Sequence, residues 1–196
     1  MTANGNNTGQ RSAKAWEILS TRVIYSAKPW VELSVQSVRL PGGRVVNDYH
    51  QVALPEYCVA YAETADGKII VAQQYRHGVR AECVTLPAGQ LEEGETPLET
   101  MQRELLEEAG YVADSWISLG SYVPHSNYGC GKAHLFSARN ARKVQEPCSG
   151  DLEDSEILLL SKAELFRAIS EGRIASLSMI AAVSLATNPH FQGTLA

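Results

Sequence analysis

Three glutamates, Glu104, Glu107 and Glu108, fall at spacings of three and four residues. On a helix that spacing puts all three carboxylates on one face. Like charges so placed repel by about a few tenths of a kcal/mol per pair. Arg103 is the cation beside them in sequence. A hard divalent ion turns the repulsion into binding, because Mg²⁺ takes oxygen ligands and keeps several of its waters. An ion held in this way neutralises a diphosphate and activates water for in-line attack at phosphorus. For so short a run the plain alternative is a solvated acidic face, so the surrounding residues must decide.

The spacing requires a helix, and its ends are marked. Thr96 reads as the N-cap, Pro97 as the first helical residue, and Glu99 completes a capping box. Gly110 stands where a left-handed residue ends a helix, so the helix is predicted over Pro97–Ala109. Leu98, Met101, Leu105 and Ala109 recur at helical spacing as its buried stripe. Glu99 precedes Arg103 by four residues, a favourable surface pair. Ahead of the helix, the strand-like Cys83–Leu86 runs into Pro87-Ala88-Gly89.

A chain of 196 residues with 44% apolar content supports one domain, or one with a small extension, and a proper core. A net charge of −5 without a Lys/Arg cluster argues against nucleic-acid and anionic-membrane partners. Cys58, Cys83, Cys130 and Cys148 are scattered without a C-x-x-C, which fits reduced thiols and a cytoplasmic location. The polar N-terminus lacks the apolar core of a signal peptide, and no apolar run is long enough to span a bilayer.

Residues 1–13 are expected to be a disordered tail. Residues 14–54 read as a small antiparallel N-terminal sheet. It holds a strand over Glu17–Tyr25 and a second from Val31 whose alternation shifts phase near Gln36-Ser37, the mark of a bulge. A turn at Pro41-Gly42-Gly43 and a third strand over Arg44–Val52 follow. A sheet this small needs a partner surface, on the core or on a second subunit. Residues 55–196 read as the main domain: strands Tyr57–Thr64 and Lys68–Tyr75 about an Asp66-Gly67 turn, then Trp116–Val123, Ala133–Ala138 and a short buried strand Ile157–Leu160. An exposed acidic loop is expected over residues 140–155, then helices over Lys162–Glu171 and Ser178–Thr187.

Gly89, Glu95, Arg103-Glu104-Leu105, Glu107-Glu108 and Gly110 together match a complete Nudix box. Tyr111 takes the last position, where a small aliphatic residue is usual. The chain thus resembles the Nudix superfamily of hydrolases, which cleave nucleoside diphosphates linked to another group. The N-terminal sheet, the strand end Gln74-Tyr75-Arg76, Glu82 with Leu86-Pro87-Ala88-Gly89, and a late Glu-Ile strand before two helices resemble the branch of ADP-ribose and other nucleoside-diphosphate-sugar pyrophosphatases. The resemblance covers about residues 16–187.

The resemblance implies a Nudix-type α/β/α sandwich with a mixed central sheet. It implies a Mg²⁺ cofactor, with Mn²⁺ as a substitute, held by Glu104, Glu108, Glu107 and the carbonyl of Ala88. Glu95 is a loop or cap residue, or a further metal contact. Arg103 either orients a catalytic glutamate or pairs with Glu99. Arg76 resembles the arginine that contacts the diphosphate, a role its planar fork suits, and Glu82 is a candidate for the nucleoside or sugar. Glu153, in the acidic segment before Ile157, takes the place of a general base, as does Glu107. Trp30 is a core strand residue or a stack for a base from a partner subunit. The loop Pro124–Lys132 departs from the Ser-Pro-Gly-and-glutamate pattern of the branch. His125, Asn127 and Tyr128 there are candidates for reading a different sugar or base. The implied activity is Mg²⁺-dependent hydrolysis of a nucleoside diphosphate sugar such as ADP-ribose, by a homodimer. The alternatives are another nucleoside diphosphate derivative and a catalytically silent Nudix sensing module.

Overall fold

The computed structural model describes residues 15–148 and 155–196. The expected tail over residues 1–13 and Glu153 lie outside the described residues. By its internal contacts the chain divides into two units: residues up to Leu54 together with His125–Gly129, and Pro55–Pro124 together with Cys130–Ala196.

The first unit is a three-stranded antiparallel sheet of β1 (Glu17–Ala27), β2 (Val31–Arg39) and β3 (Val45–Ala53), in that order. The phase shift near Gln36-Ser37 is a real irregularity. Gln36 faces Tyr49 but Val38 faces Val46, so the extra residue lies on β3. Leu40 and Arg44 close the Pro41–Gly43 turn through a backbone hydrogen bond of 2.8 Å. Ile18, Val23, Ile24 and Tyr25 of β1 are exposed, as is Trp30 in the turn after it, at 64%. The core reading of Trp30 is therefore corrected: it sits in a turn between strands, where neither sheet face covers it. The carbonyl of Asn127 accepts from Tyr49 Oη and Gln51 Nε2, each at 3.0 Å. His125 and Tyr128 stack edge to face at 6.1 Å.

The second unit is built on a mixed sheet. Its strands are β4 (Tyr57–Thr64), β5 (Ile69–Arg76), β6 (Ala81–Thr85), β7 (Ala88–Gln90), β8 (Tyr111–Val112), β9 (Ser115–Tyr122), β10 (Ala133–Lys143), β11 (Ser155–Leu160) and β12 (Thr194–Leu195). The order is β11-β5-β4-β10-β9-β12, with β6 on β5, β7 on β4 and β8 on β10. β4 and β10 are parallel and the other pairs antiparallel. Three helices complete it: α1 (Pro97–Ala109), α2 (Lys162–Ser170) and α3 (Leu177–Thr187).

Cys58 to Ala62 of β4 are all fully buried, because both faces of the strand are covered. Alternation sends Cys58, Ala60 and Ala62 to Met101, Leu105 and Ala109 of α1. It sends Val59 and Tyr61 to Leu165 of α2 and Met179, Ala182 and Val183 of α3. The sheet is thus the middle layer of an α/β/α sandwich. Each large buried aliphatic in these two layers contributes about 1.5–3 kcal/mol.

Two expectations are corrected here. Residues 140–143 are not loop but the end of β10, which continues past a left-handed Asn140 (φ 52°) to pair Arg142 with Val112. The segment reads as loop because Asn140, Arg142 and Lys143 are polar and the single buried alanine among them, Ala141, cannot display a strand's alternation. β11 is only half-buried, with Leu159 exposed, since as the end strand of the sheet it has a neighbour on one side only. Among the described residues no helix is long and apolar enough to cross a membrane.

Candidate active site

α1 forms where the sequence marks it. Thr96 caps it, and the Glu99 carboxylate accepts from Thr96 N–H at 2.8 Å and from its hydroxyl at 2.7 Å. Gly110 takes φ 78° and donates to Leu106 O at 2.9 Å. Because Glu99 is engaged in the cap, the expected Glu99–Arg103 pair is not made. Arg103 turns to other carboxylates instead. Its Nε lies 2.8 Å from Glu95 Oε1, and its Nη1 lies 2.8 Å from Glu104 Oε1 and 3.1 Å from Glu107 Oε2. Glu92 approaches to 3.7 Å. One guanidinium therefore serves four carboxylates, which holds its pKa above the ordinary arginine value.

Glu95, the loop residue, also accepts from Thr100 Oγ1 at 2.7 Å. The Arg103 hydrogen bond, seconded by Thr100, brings its carboxyl down to about 2. Glu95 thus acts as a strut that fixes Arg103, which in turn fixes Glu104 and Glu107. Thr100 had no sequence signal as a site residue, since an isolated buried threonine on a helix is ordinary core.

β7, a three-residue strand, brings the backbone to α1. Gly89 is in register with Cys58 of β4. A Cβ at Gly89 would stand 1.9 Å from Glu104 Cδ, so only glycine lets that carboxylate rest on the strand. The neighbouring Ala88 N–H donates to Glu108 Oε2 at 2.9 Å. The Ala88-Gly89 peptide and the carboxylates of Glu104 and Glu108 are thereby gathered at one place. Their donor set is hard oxygen from carboxylates and backbone, which suits Mg²⁺ or Mn²⁺ rather than a softer ion. Among the described residues no three carboxylate, imidazole or thiol groups surround a single point, and Arg103 stands among the glutamates. Cys58, beneath them, is no ligand. Burial, with Glu104, Glu95 and Glu56 nearby, pushes its thiol up to about 12.

The other predicted residues lie outside α1 and β7. Arg76 ends β5 and lines a cavity of about 470 Å³ with Val79, Val84, Thr85, Ser176 and Met179. Glu82 faces Tyr75 across the β5–β6 pair and is exposed. Trp30 belongs to the N-terminal unit.

Residues 56–177 match the model of the NUDIX domain. The chain belongs to the Nudix family. The chain is 32% identical to a methanol dehydrogenase activator of Bacillus methanolicus, over 89% of this chain and 90% of that protein. It is 31% identical to an ADP-ribose pyrophosphatase of Bacillus subtilis (strain 168), over 72% of this chain and 75% of that protein. It is 29% identical to an ADP-ribose pyrophosphatase of Mycobacterium tuberculosis, over 86% and 81%. A crystal structure of an ADP compounds hydrolase superposes with a TM-score of 0.78 over 90% of this chain and 95% of that one; at 16% identity it shows the shared fold. This Nudix chain is accordingly a pyrophosphatase-type hydrolase. Nudix hydrolases generally use divalent metals.

Proposed function

We propose that this protein hydrolyses the diphosphate of a nucleoside diphosphate sugar with the help of Mg²⁺, with Mn²⁺ as a substitute. ADP-ribose, cleaved to AMP and ribose 5-phosphate, is the first substrate to test. The observation that carries the reading is the meeting of Glu104 with Gly89 and of Glu108 with Ala88. Glu104, Glu108, Glu107 and the Ala88 carbonyl would hold the ion. When bound it neutralises the diphosphate, stabilises the leaving oxygen and lowers the pKa of a water.

The chain's own groups do the rest. Arg103 orients Glu104 and Glu107 by direct hydrogen bonds. A carboxylate, Glu107 or Glu153, takes the proton from the attacking water. Arg76 binds the diphosphate through its fork, Glu82 contacts the nucleoside or sugar, and Trp30 is a stack for a base bound by a partner subunit. The N-terminal sheet over residues 14–54 is the dimerisation element of a homodimer that works in the cytoplasm. The pyrophosphatase relatives support this substrate class, and the intact box supports an active enzyme rather than a silent sensor.

The experiment is phosphate release after coupling to a phosphatase, with ADP-ribose, ADP-glucose, GDP-mannose, diadenosine polyphosphates and nucleoside triphosphates, with Mg²⁺ and with chelator. A metal-dependent preference for one nucleotide sugar is expected. Preference for a triphosphate, or equal rates with chelator, would overturn the reading.

A further inference from the structure

Outside the box, three side chains of the second unit form a connected chain. His134 of β10 is buried, at 8% exposure. Its Nε2 lies 2.8 Å from Glu56 Oε2, and its Nδ1 lies 2.7 Å from Ser121 Oγ. A carboxylate only accepts, so Nε2 carries a proton; in the neutral ring, Nδ1 then accepts from the Ser121 hydroxyl. Both ring nitrogens are used, and the imidazole is fixed from two sides. The Glu56 backbone is fixed as well. Leu91 N–H donates to Glu56 O at 3.0 Å, and Gly131 lies so close that a Cβ there would stand 2.6 Å from Glu56 N. Yet the Glu56 side chain keeps 38% of its surface open to solvent.

The position of this held carboxylate matters. His134 is in register with Cys58, and Cys58 with Gly89. Residues paired across neighbouring strands point to the same face of a sheet. His134 therefore shares the face on which Glu104 rests against Gly89, two strand spacings away, or about 10 Å.

We propose that Glu56 accepts hydrogen bonds from two adjacent hydroxyls of one sugar of the substrate, with His134 and Ser121 as positioning residues. The inference rests on the nucleotide-sugar reading. One lone-pair site of the carboxylate goes to His134, and the remaining acceptor sites match a pair of hydroxyl donors. The same negative charge repels a third phosphate, so the group selects for a sugar and against a triphosphate. Holding the carboxylate in advance removes the rotamer entropy that a free glutamate would lose on binding.

The test is steady-state kinetics of Glu56→Gln, with wild type alongside, on three compounds. They are ADP-ribose, an ADP alkyl ester without the terminal sugar, and the ADP-ribose analogue lacking the 2′ and 3′ hydroxyls of its adenosine. Glutamine keeps an acceptor for His134 but loses the charge. KM for ADP-ribose is expected to rise about tenfold or more with kcat nearly unchanged. The rise should vanish for whichever analogue lacks the sugar being read. Ser121→Ala, which frees one side of the imidazole, should give a smaller rise with the same dependence on compound, and it serves if Glu56→Gln does not fold. An unmoved KM for ADP-ribose, or an equal rise for all three compounds, overturns the inference. Wild-type protein that turns over none of them overturns the proposed reaction itself.

Discussion

Arg103 has two acidic neighbours at a spacing of four, Glu99 before it and Glu107 after it. Spacing alone does not choose between them. The choice falls to the cap, which engages Glu99, and to Glu95, which pulls the guanidinium toward Glu104 and Glu107. The types and spacing of the box residues were therefore legible, while the partner of Arg103 depended on a loop residue eight positions away. Because the Glu95 carboxyl is brought below its usual range to about 2, its contribution is fully present above about pH 4.5 and is lost as pH falls toward 2. Glu95→Gln should thus destabilise the protein at pH 7, and the gap to wild type should close on acidification, as read from urea midpoints between pH 7 and pH 3. Gly89→Ala should drive a methyl into Glu104. We expect a cost of about 1–3 kcal/mol in stability and a higher metal concentration for half-maximal rate, both measurable on one preparation. Glu108→Gln keeps an acceptor for Ala88 N–H but loses the charge. Turnover should fall on the order of 100-fold or more with the melting temperature nearly unchanged, and unchanged turnover would remove Glu108 from the ligand set.

At the scale of elements, α1 was readable to the residue because both of its ends carry specific chemistry, a capping box and a left-handed glycine. α2 was nearly as clear, with Ser161 and Glu164 repeating the box. The short strands β7, β8 and β12 were not readable. Two or three residues cannot display a period, and each forms only because a longer strand offers it an edge. β7 is the costliest omission, since it brings Ala88 and Gly89 to the glutamates. Gly110 ties α1 to the chain after β10: its carbonyl accepts from Val144 and Gln145, and a Cβ on it would meet Gln145 O at 2.1 Å. Gly110→Ala therefore combines a left-handed backbone with a clash. It should cost about 1–3 kcal/mol or more, whereas Thr96→Ala at the other end should cost about 1 kcal/mol, a difference that chemical denaturation resolves.

For the whole molecule, the boundary near residue 54 was read from strands that precede the core of the resembled family, and the layered second unit from strands with helices interleaved late. The substrate was less legible because Glu56, proposed to read it, and His134 and Ser121, which position Glu56, lie far apart in sequence and have no motif spacing. The exposed apolar residues of β1, with Val23 at 51% and Ile24 at 47%, are the surface the proposed homodimer would cover. Ile24→Lys should shift the mass seen by sedimentation equilibrium toward the monomer, and a monomeric wild-type protein at micromolar concentration would end that proposal. The N-terminal unit also includes His125–Gly129, where Asn127 satisfies Tyr49 and Gln51. During synthesis the first 54 residues leave the ribosome well before this piece exists. At about 5–20 residues per second the wait is roughly 4–15 s. The sheet that is made first is finished only after α1 has been translated, so a nascent chain stalled after Tyr111 but short of His125 carries the complete box and an incomplete N-terminal unit.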